Sequence, residues 1–217
     1  MSISENILRL KSLIPQQVTL IAVSKTKPIT SVLEAYEAGQ KDFGENYVQE
    51  LVDKHIELPK DINWHFIGHL QTNKVKYIAP FVYMIHGVDS IKLLTEINKE
   101  AKKNNRVINC LLQLYIAKEE TKFGLDFEEA SALLTSNAFL DLKHISIQGF
   151  MAMASNTDDE VQIENEFKNV LQFKNRYPQF PILSIGMSSD YGIAIKQGST
   201  HIRVGSLIFG ERNYNNK

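Results

Sequence analysis

Eight short apolar runs alternate with helical patterns along the chain, and few folds accept that alternation. The runs are residues 19–24, a weak one at 41–45, Trp64–Ile67, Phe81–His86, Val107–Tyr115, His144–Met151, Pro181–Ile185 and His201–Val204. Several are apolar at successive positions, which suits parallel strands covered by helices on the outside. Strand and helix alternate in both a barrel and a doubly wound open sheet. The count of eight, with no early G-x-G-x-x-G, favours the barrel. The expected fold is therefore α/β: one (β/α)8 TIM barrel over residues 1–217. A helix precedes it, because Ile3, Ile7, Leu10 and Ile14 recur at helical spacing until Pro15.

The intervening helices are read from their apolar stripes and caps. Residues 29–38 are expected to bury Val32, Leu33 and Tyr36. The next helix carries Val48, Leu51, Val52, His55 and Ile56 on one side. A polar helix starts near Gln71, and Asp89 or Ser90 caps another that buries Ile91, Leu94 and Ile97. Asp126 and Glu129 form a capping box before Ala130, Leu133 and Leu134. A helix over 159–176 buries Ile163, Phe167, Val170 and Leu171. Ser188 or Ser189 caps a short helix, and Leu207–Phe209 form a last turn.

Composition excludes some partners. The net charge of −1 gives no general attraction to nucleic acid or anionic membrane. No apolar run reaches the length of a membrane span, and the start lacks signal-peptide features. A cytoplasmic location follows as the expectation. Cys110 is the one cysteine and sits in the most apolar run, as a core thiol would. Glu119 and Glu120 read as a solvated loop, and Asn213–Lys217 as a disordered end. Nothing calls for a metal.

Chemistry concentrates where strands end. Leu20–Val23 run into Ser24-Lys25-Thr26-Lys27-Pro28, so Lys25 stands where a buried strand gives way to a helix, the edge at which α/β folds bind ligands. Partial desolvation favours its neutral amine, which can form a Schiff base with an aldehyde. Two Gly/Ser turns, Gly186-Met187-Ser188-Ser189-Asp190 and Arg203-Val204-Gly205-Ser206, follow strands seven and eight, the usual phosphate position in barrels. In a closed barrel strand eight adjoins strand one, so Lys25 and these turns meet. A phosphorylated carbonyl compound fits, either a phospho-sugar or pyridoxal 5′-phosphate (PLP). Arg203, if it points inward, faces either the pyridine nitrogen of PLP or a carboxylate such as Glu45 or Asp190. Asn46 with Gln49 also reads as an N-cap pair, and His65 as a satisfied core histidine.

The chain also resembles the pyridoxal phosphate homeostasis proteins, of the YggS/PROSC type. The matching stretches are Ala22–Pro28, Phe43–Glu50, Trp64–Lys74, Thr121–Gly124, Gly149–Met151, Gly186–Asp190 and Arg203–Gly210, in one order along almost the whole chain. The resemblance implies a barrel like the N-terminal domain of alanine racemase, with PLP on Lys25 as a Schiff base. It implies that Arg203 faces the pyridine nitrogen. Ser188, Gly205 and Ser206 would hold the phosphate, largely through backbone N–H, Met187 would be a further cofactor contact, and Asn46 and the Ile67-Gly68-His69 turn would line the ring. Lys27 resembles a second lysine that could handle PLP in transit. Ser206 stands where the family usually has threonine, and Phe123 where it often has a small residue.

Three functions compete. A carrier that buffers PLP and supplies apo PLP-dependent enzymes, as a monomer without substantial turnover, is what the resemblance implies. The alternative is a weak PLP-dependent amino-acid racemase. That needs a base on each face of the substrate, and the barrel leaves only about eight residues to supply the second. A phospho-sugar aldolase ranks third, since it would want acid/base groups beside the lysine.

Overall fold

The structure, a computed structural model, describes residues 2–117 and 123–211. Glu119, Glu120, the Thr121-Lys122 pair and Asn213–Lys217 lie outside the described residues. The strands β1 (Thr19–Val23), β2 (Asp42–Glu45), β3 (Asn63–Phe66), β4 (Met84–Val88), β5 (Ile108–Leu114), β6 (Ile145–Ala152), β7 (Ile182–Ser184) and β8 (His201–Val204) close in sequence order into a parallel barrel. Closure pairs β1 with β8, with Ile21 opposite Arg203 and Ala22 opposite Val204. The expected TIM barrel is therefore the fold.

Helix α1 (Ile3–Leu13) precedes the barrel and begins with a Ser2/Glu5 capping box. Then follow α2 (Ile29–Glu37), α3 (Val48–Glu57), α4 (Val75–Ile78, after a 3-10 turn at Thr72–Lys74) and α5 (Ile91–Lys103). The second half carries α6 (Phe127–Thr135), α7 (Asn137–Leu140), α8 (Glu160–Asn175), α9 (Tyr191–Lys196) and α10 (Ser206–Phe209). Ser90 caps α5, and Asp126 with Glu129 forms the capping box of α6, as expected. No helix of the described residues is long and apolar enough to cross a membrane.

Two layers of packing hold the barrel. Large side chains such as Phe43, Trp64, Phe66, Phe150 and Phe167 fill the space between strands and helices. A separate cluster of Met84, Leu111 and Met151 fills part of the lumen. Cys110 is buried, and burial pushes its thiol pKa upward, so it stays protonated and inert.

Four local expectations are corrected. Strand β4 starts at Met84 rather than Phe81, because Phe81 and Val82 close the end of α4 through their N–H groups to Ile78 and the Phe81 ring stacks on His55. In α2, Leu33 is exposed and Ala35 takes its place beside Val32. In α3 the inward face is Leu51 and Lys54, whereas Ile56 is 66% exposed. Asp190, rather than Ser188 or Ser189, occupies the N-cap of α9, and its carboxylate accepts the Met187 N–H.

Candidate functional site

Lys25 lies in a tight turn, Ser24–Lys27, closed by the Lys27 N–H donating to the Ser24 carbonyl at 3.0 Å. Thr26 in that turn has φ +64°, a left-handed conformation that a β-branched residue adopts only when its surroundings hold it there. Its N–H donates to Glu50 Oε1 at 2.6 Å. Behind the turn sits a buried polar cluster. Ser24 Oγ donates to Glu45 Oε1 (2.6 Å), and Lys54 Nζ donates to the Ser24 carbonyl (2.7 Å), Glu45 Oε1 (2.8 Å) and Glu50 Oε1 (2.7 Å). Burial pushes the Glu45 carboxyl up to about 7, with Lys54 and Ser24 opposing the rise. Glu45 is therefore the partner of Lys54 and not of Arg203.

The half-buried Lys25 opens onto a cavity of about 420 Å³ at the carboxyl edge of the barrel. Lys27, Asn46, Met187, Ser188, Arg203, Gly205 and Ser206 line the same cavity. Its size falls within the roughly 300–1,000 Å³ usual for small-molecule sites. The turns after β7 and β8 touch: the Gly205 N–H donates to Ser188 Oγ at 3.2 Å. Gly186 lets the turn after β7 pack onto α9, since it has φ +97° and a Cβ there would meet Ala194 Cβ at 2.6 Å. Asn46 is not the N-cap of α3, a place Tyr47 takes, and Gln49 bonds to Asp53 instead. The buried Asn46 Oδ1 has no hydrogen-bond partner among the described residues, an orphan that a polar ligand in the cavity would satisfy.

Arg203 rises from β8 into the floor of this cavity, only 4% exposed. Nη1 donates to the Ser184 carbonyl (2.6 Å) and Ser184 Oγ (2.7 Å), and Nη2 to the Ala152 carbonyl (3.0 Å). Burial pulls the guanidinium down to about 10, opposed by Asp190, so it remains charged at neutral pH. From Ser184 a polar chain continues down the lumen. His86 Nδ1 lies 3.1 Å from Ser184 Oγ, His86 Nε2 2.9 Å from His65 Nδ1, and His65 Nε2 3.1 Å from Asp42 Oδ1. Burial, with help from His65, Arg203 and His201, holds the His86 imidazole well below its ordinary range, hence neutral. His65 is thus a satisfied core histidine, as its strand position suggests.

Of the Ile67-Gly68-His69 turn, Ile67 lines the cavity, whereas Gly68 and His69 do not. Gly68 packs under Asn46: a Cβ on it would meet the Asn46 carbonyl oxygen at 2.4 Å. Its role is to let the β3 turn approach the Asn46 backbone. His69 stacks on Phe123 with ring centroids 4.0 Å apart, and its Nδ1 lies 3.2 Å from Asp89. The ring is held on the rim and away from the cavity, so the large residue at 123 has a consequence for the wall.

Comparison with known proteins matches this arrangement to relatives. The family described as "Alanine racemase, N-terminal domain" matches residues 1–213. A pyridoxal phosphate homeostasis protein of Haemophilus influenzae is 42% identical over 206 residues, covering 91% of this chain and 86% of the relative. The chain belongs to the pyridoxal phosphate homeostasis protein family. The structure of PipY from Synechococcus elongatus without PLP superposes with a TM-score of 0.90 at 35% identity, covering 96% of this chain and 100% of PipY. The structure of PipY with PLP bound gives a TM-score of 0.87 at the same identity and coverage.

For this member of the family, the sequence did not single out Val23, Met153 and Gly210 among the lining residues, whereas Leu207 falls in the expected last helical turn. Met153 lies one residue beyond β6 and reads as core continuing from Met151. Lys54 and its pairing with Glu45 and Glu50 were missed as well. They could have been suspected only from a lysine at the i, i+3 position to Leu51 on the buried stripe of α3.

Proposed function

We propose that the protein binds PLP in the cavity at the carboxyl edge of the barrel, buffers it and supplies it to apo PLP-dependent enzymes. The observation that carries the reading is that one cavity gathers Lys25, Arg203 and the touching turns of Ser188 and Gly205. These groups match the parts of PLP. Lys25 supplies the amine for a Schiff base with the aldehyde. Ser188, Ser206 and the backbone around Met187 and Gly205 supply donors for the phosphate. Arg203, charged and fixed by Ser184 and Ala152, presents a donor to the pyridine nitrogen. Asn46 offers its orphaned side chain to the ring. PipY with PLP bound and the names of the relatives support PLP as the ligand.

PLP bound here would supply electrophilic imine chemistry. The rest of the pocket is poorly equipped to exploit it. Among the described lining residues the titratable side chains are Lys25, Lys27 and Arg203. Lys27 is engaged by three carbonyls, so no lining group is placed as a second base. A charged Arg203 at the pyridine nitrogen keeps that nitrogen unprotonated and weakens the ring as an electron sink. Storage and exchange of PLP, without substantial turnover, is the function this balance favours.

The test is spectroscopic. The protein incubated with PLP should show a band at roughly 410–430 nm, the region of a PLP imine, and borohydride should fix the cofactor to Lys25. Absence of the band, or label elsewhere, overturns the assignment. Incubation of the loaded protein with each common amino acid should give no more than trace racemisation or keto acid. Many turnovers per site on any one would make it an enzyme.

A further inference from the structure

The placement of Lys54 runs against the local sequence. Helix α3 turns a lysine inward, 3% exposed, and leaves Ile56 in solvent. A buried ion cluster stabilises less than a well-packed apolar residue of similar size. Stability alone would favour the opposite rotation. The contacts of Lys54 suggest what it does instead. Its ammonium binds the carbonyl of Ser24, the residue before Lys25, at 2.7 Å. It also binds Glu50 Oε1 at 2.7 Å, and that same oxygen accepts the N–H of Thr26, the residue after Lys25, at 2.6 Å. Glu45, the third partner, anchors the cluster to β2 and ties down the Ser24 hydroxyl. Both chain neighbours of Lys25 are thus fastened to one buried ammonium, Ser24 directly and the left-handed Thr26 through Glu50, and Lys25 sits between the two fastenings.

We propose that Lys54 is the positioning residue for Lys25: with Glu50 it holds the strained Ser24–Lys27 turn and so fixes the direction in which the Lys25 side chain enters the cavity. The proposal rests on the reading that PLP is carried on Lys25, and the experiment separates the two.

The variants are Lys54→Met/Glu45→Gln, which removes both members of the buried pair, and Glu50→Ala, at a half-buried position where misfolding is not expected. Amide hydrogen exchange on the protein without PLP reads the turn directly. The Thr26 and Lys27 amides should exchange at least tenfold faster in both variants, while amides of β1 and β8 keep wild-type protection. With PLP as the probe, affinity of the Lys25 Schiff base should fall at least tenfold in the double variant and less in Glu50→Ala. Wild-type exchange at Thr26 together with wild-type PLP affinity in either folded variant overturns the proposal. If the wild-type protein forms no Schiff base at Lys25, the functional reading fails. The exchange arm then still decides whether Lys54 holds the turn.

Discussion

Lys27 Nζ stands 3.0 Å from the backbone carbonyl of Phe209, and it also reaches the carbonyls of Gly210 (3.2 Å) and Glu211 (3.1 Å). A lysine two residues past Lys25 therefore closes the C-terminal end of α10, whose last carbonyls have no helical partner. The expected role of Lys27 in PLP transit has to be weighed against this, because its amine must first leave three acceptors. Lys27→Met should lower stability by about 1 kcal/mol, the scale for charge-assisted bonds at a partly exposed site, and speed PLP loss while keeping the Schiff-base band. Thermal unfolding and stopped-flow release measure both. Unchanged stability with slowed delivery to an apo-enzyme would favour the transit role.

Arg203→Ala should leave Schiff-base formation intact, since Lys25 is untouched. It should weaken PLP retention by about tenfold or more, the cost of losing one charged hydrogen bond, and shift the absorbance or its pH dependence. The variant also strands the Ser184 and Ala152 carbonyls that the guanidinium now satisfies, so reduced thermal stability is expected alongside. A variant matching the parent in affinity and spectrum would leave Arg203 a purely structural residue.

The serine turns should discriminate phosphate. Each charge-assisted contact is worth about 1.5–3 kcal/mol, so pyridoxal without phosphate should bind at least about a hundredfold more weakly than PLP. Ser188→Ala should narrow that gap, because Ser188 Oγ is a cavity-lining hydroxyl that also engages the Gly205 N–H. Competition titration of the two vitamers gives the ratio, and equal binding would move the phosphate away from these turns.

Three groups, His201, His86 and Glu45, give the stability profile opposing limbs. Burial pulls His201 down to about 4 from an ordinary 6.5, and His86 shifts the same way. Below pH 6.5 the unfolded chain takes up protons that the folded one refuses, so stability falls as pH drops from 6.5 toward 4. Glu45 is raised from 4.5 to about 7. Between those values the folded chain keeps a proton that the unfolded chain has released, so this contribution is complete below pH 4.5 and is lost as pH rises through 7. Glu45→Gln should erase the second limb and His201→Gln much of the first, each changing the pH slope by at most about 3 kcal/mol over its window. Urea midpoints from pH 4 to 8 test this, and a wild-type profile in either variant refutes the corresponding assignment.

The parts of the site legible in the sequence were local ones. Lys25 follows an apolar run directly, and the Gly186 and Gly205 turns carry their small residues in plain order. Strand alternation then brings the ends of β1, β7 and β8 together. What escaped was decided by contacts between distant elements. Val48, Leu51, Val52 and Ile56 outline a plausible stripe on α3, but the helix follows Glu45 on a neighbouring strand and turns Lys54 inward. Phe81 looks like strand until His55 offers it a ring at 3.7 Å. His69 stands in a motif that suggests the pocket, and only Phe123, beyond β5, reveals why it faces the rim.

The closing register of the barrel, with Ile21 beside Arg203, has a consequence for biosynthesis. The ribosome delivers Lys25 early and Arg203 late, so for most of its synthesis the nascent chain carries Lys25 as an ordinary solvated lysine without the cradle around it. The pocket comes into being only when the last strand docks on the first. A ligand gripped from both sides of that seam would act as a latch on the finished chain.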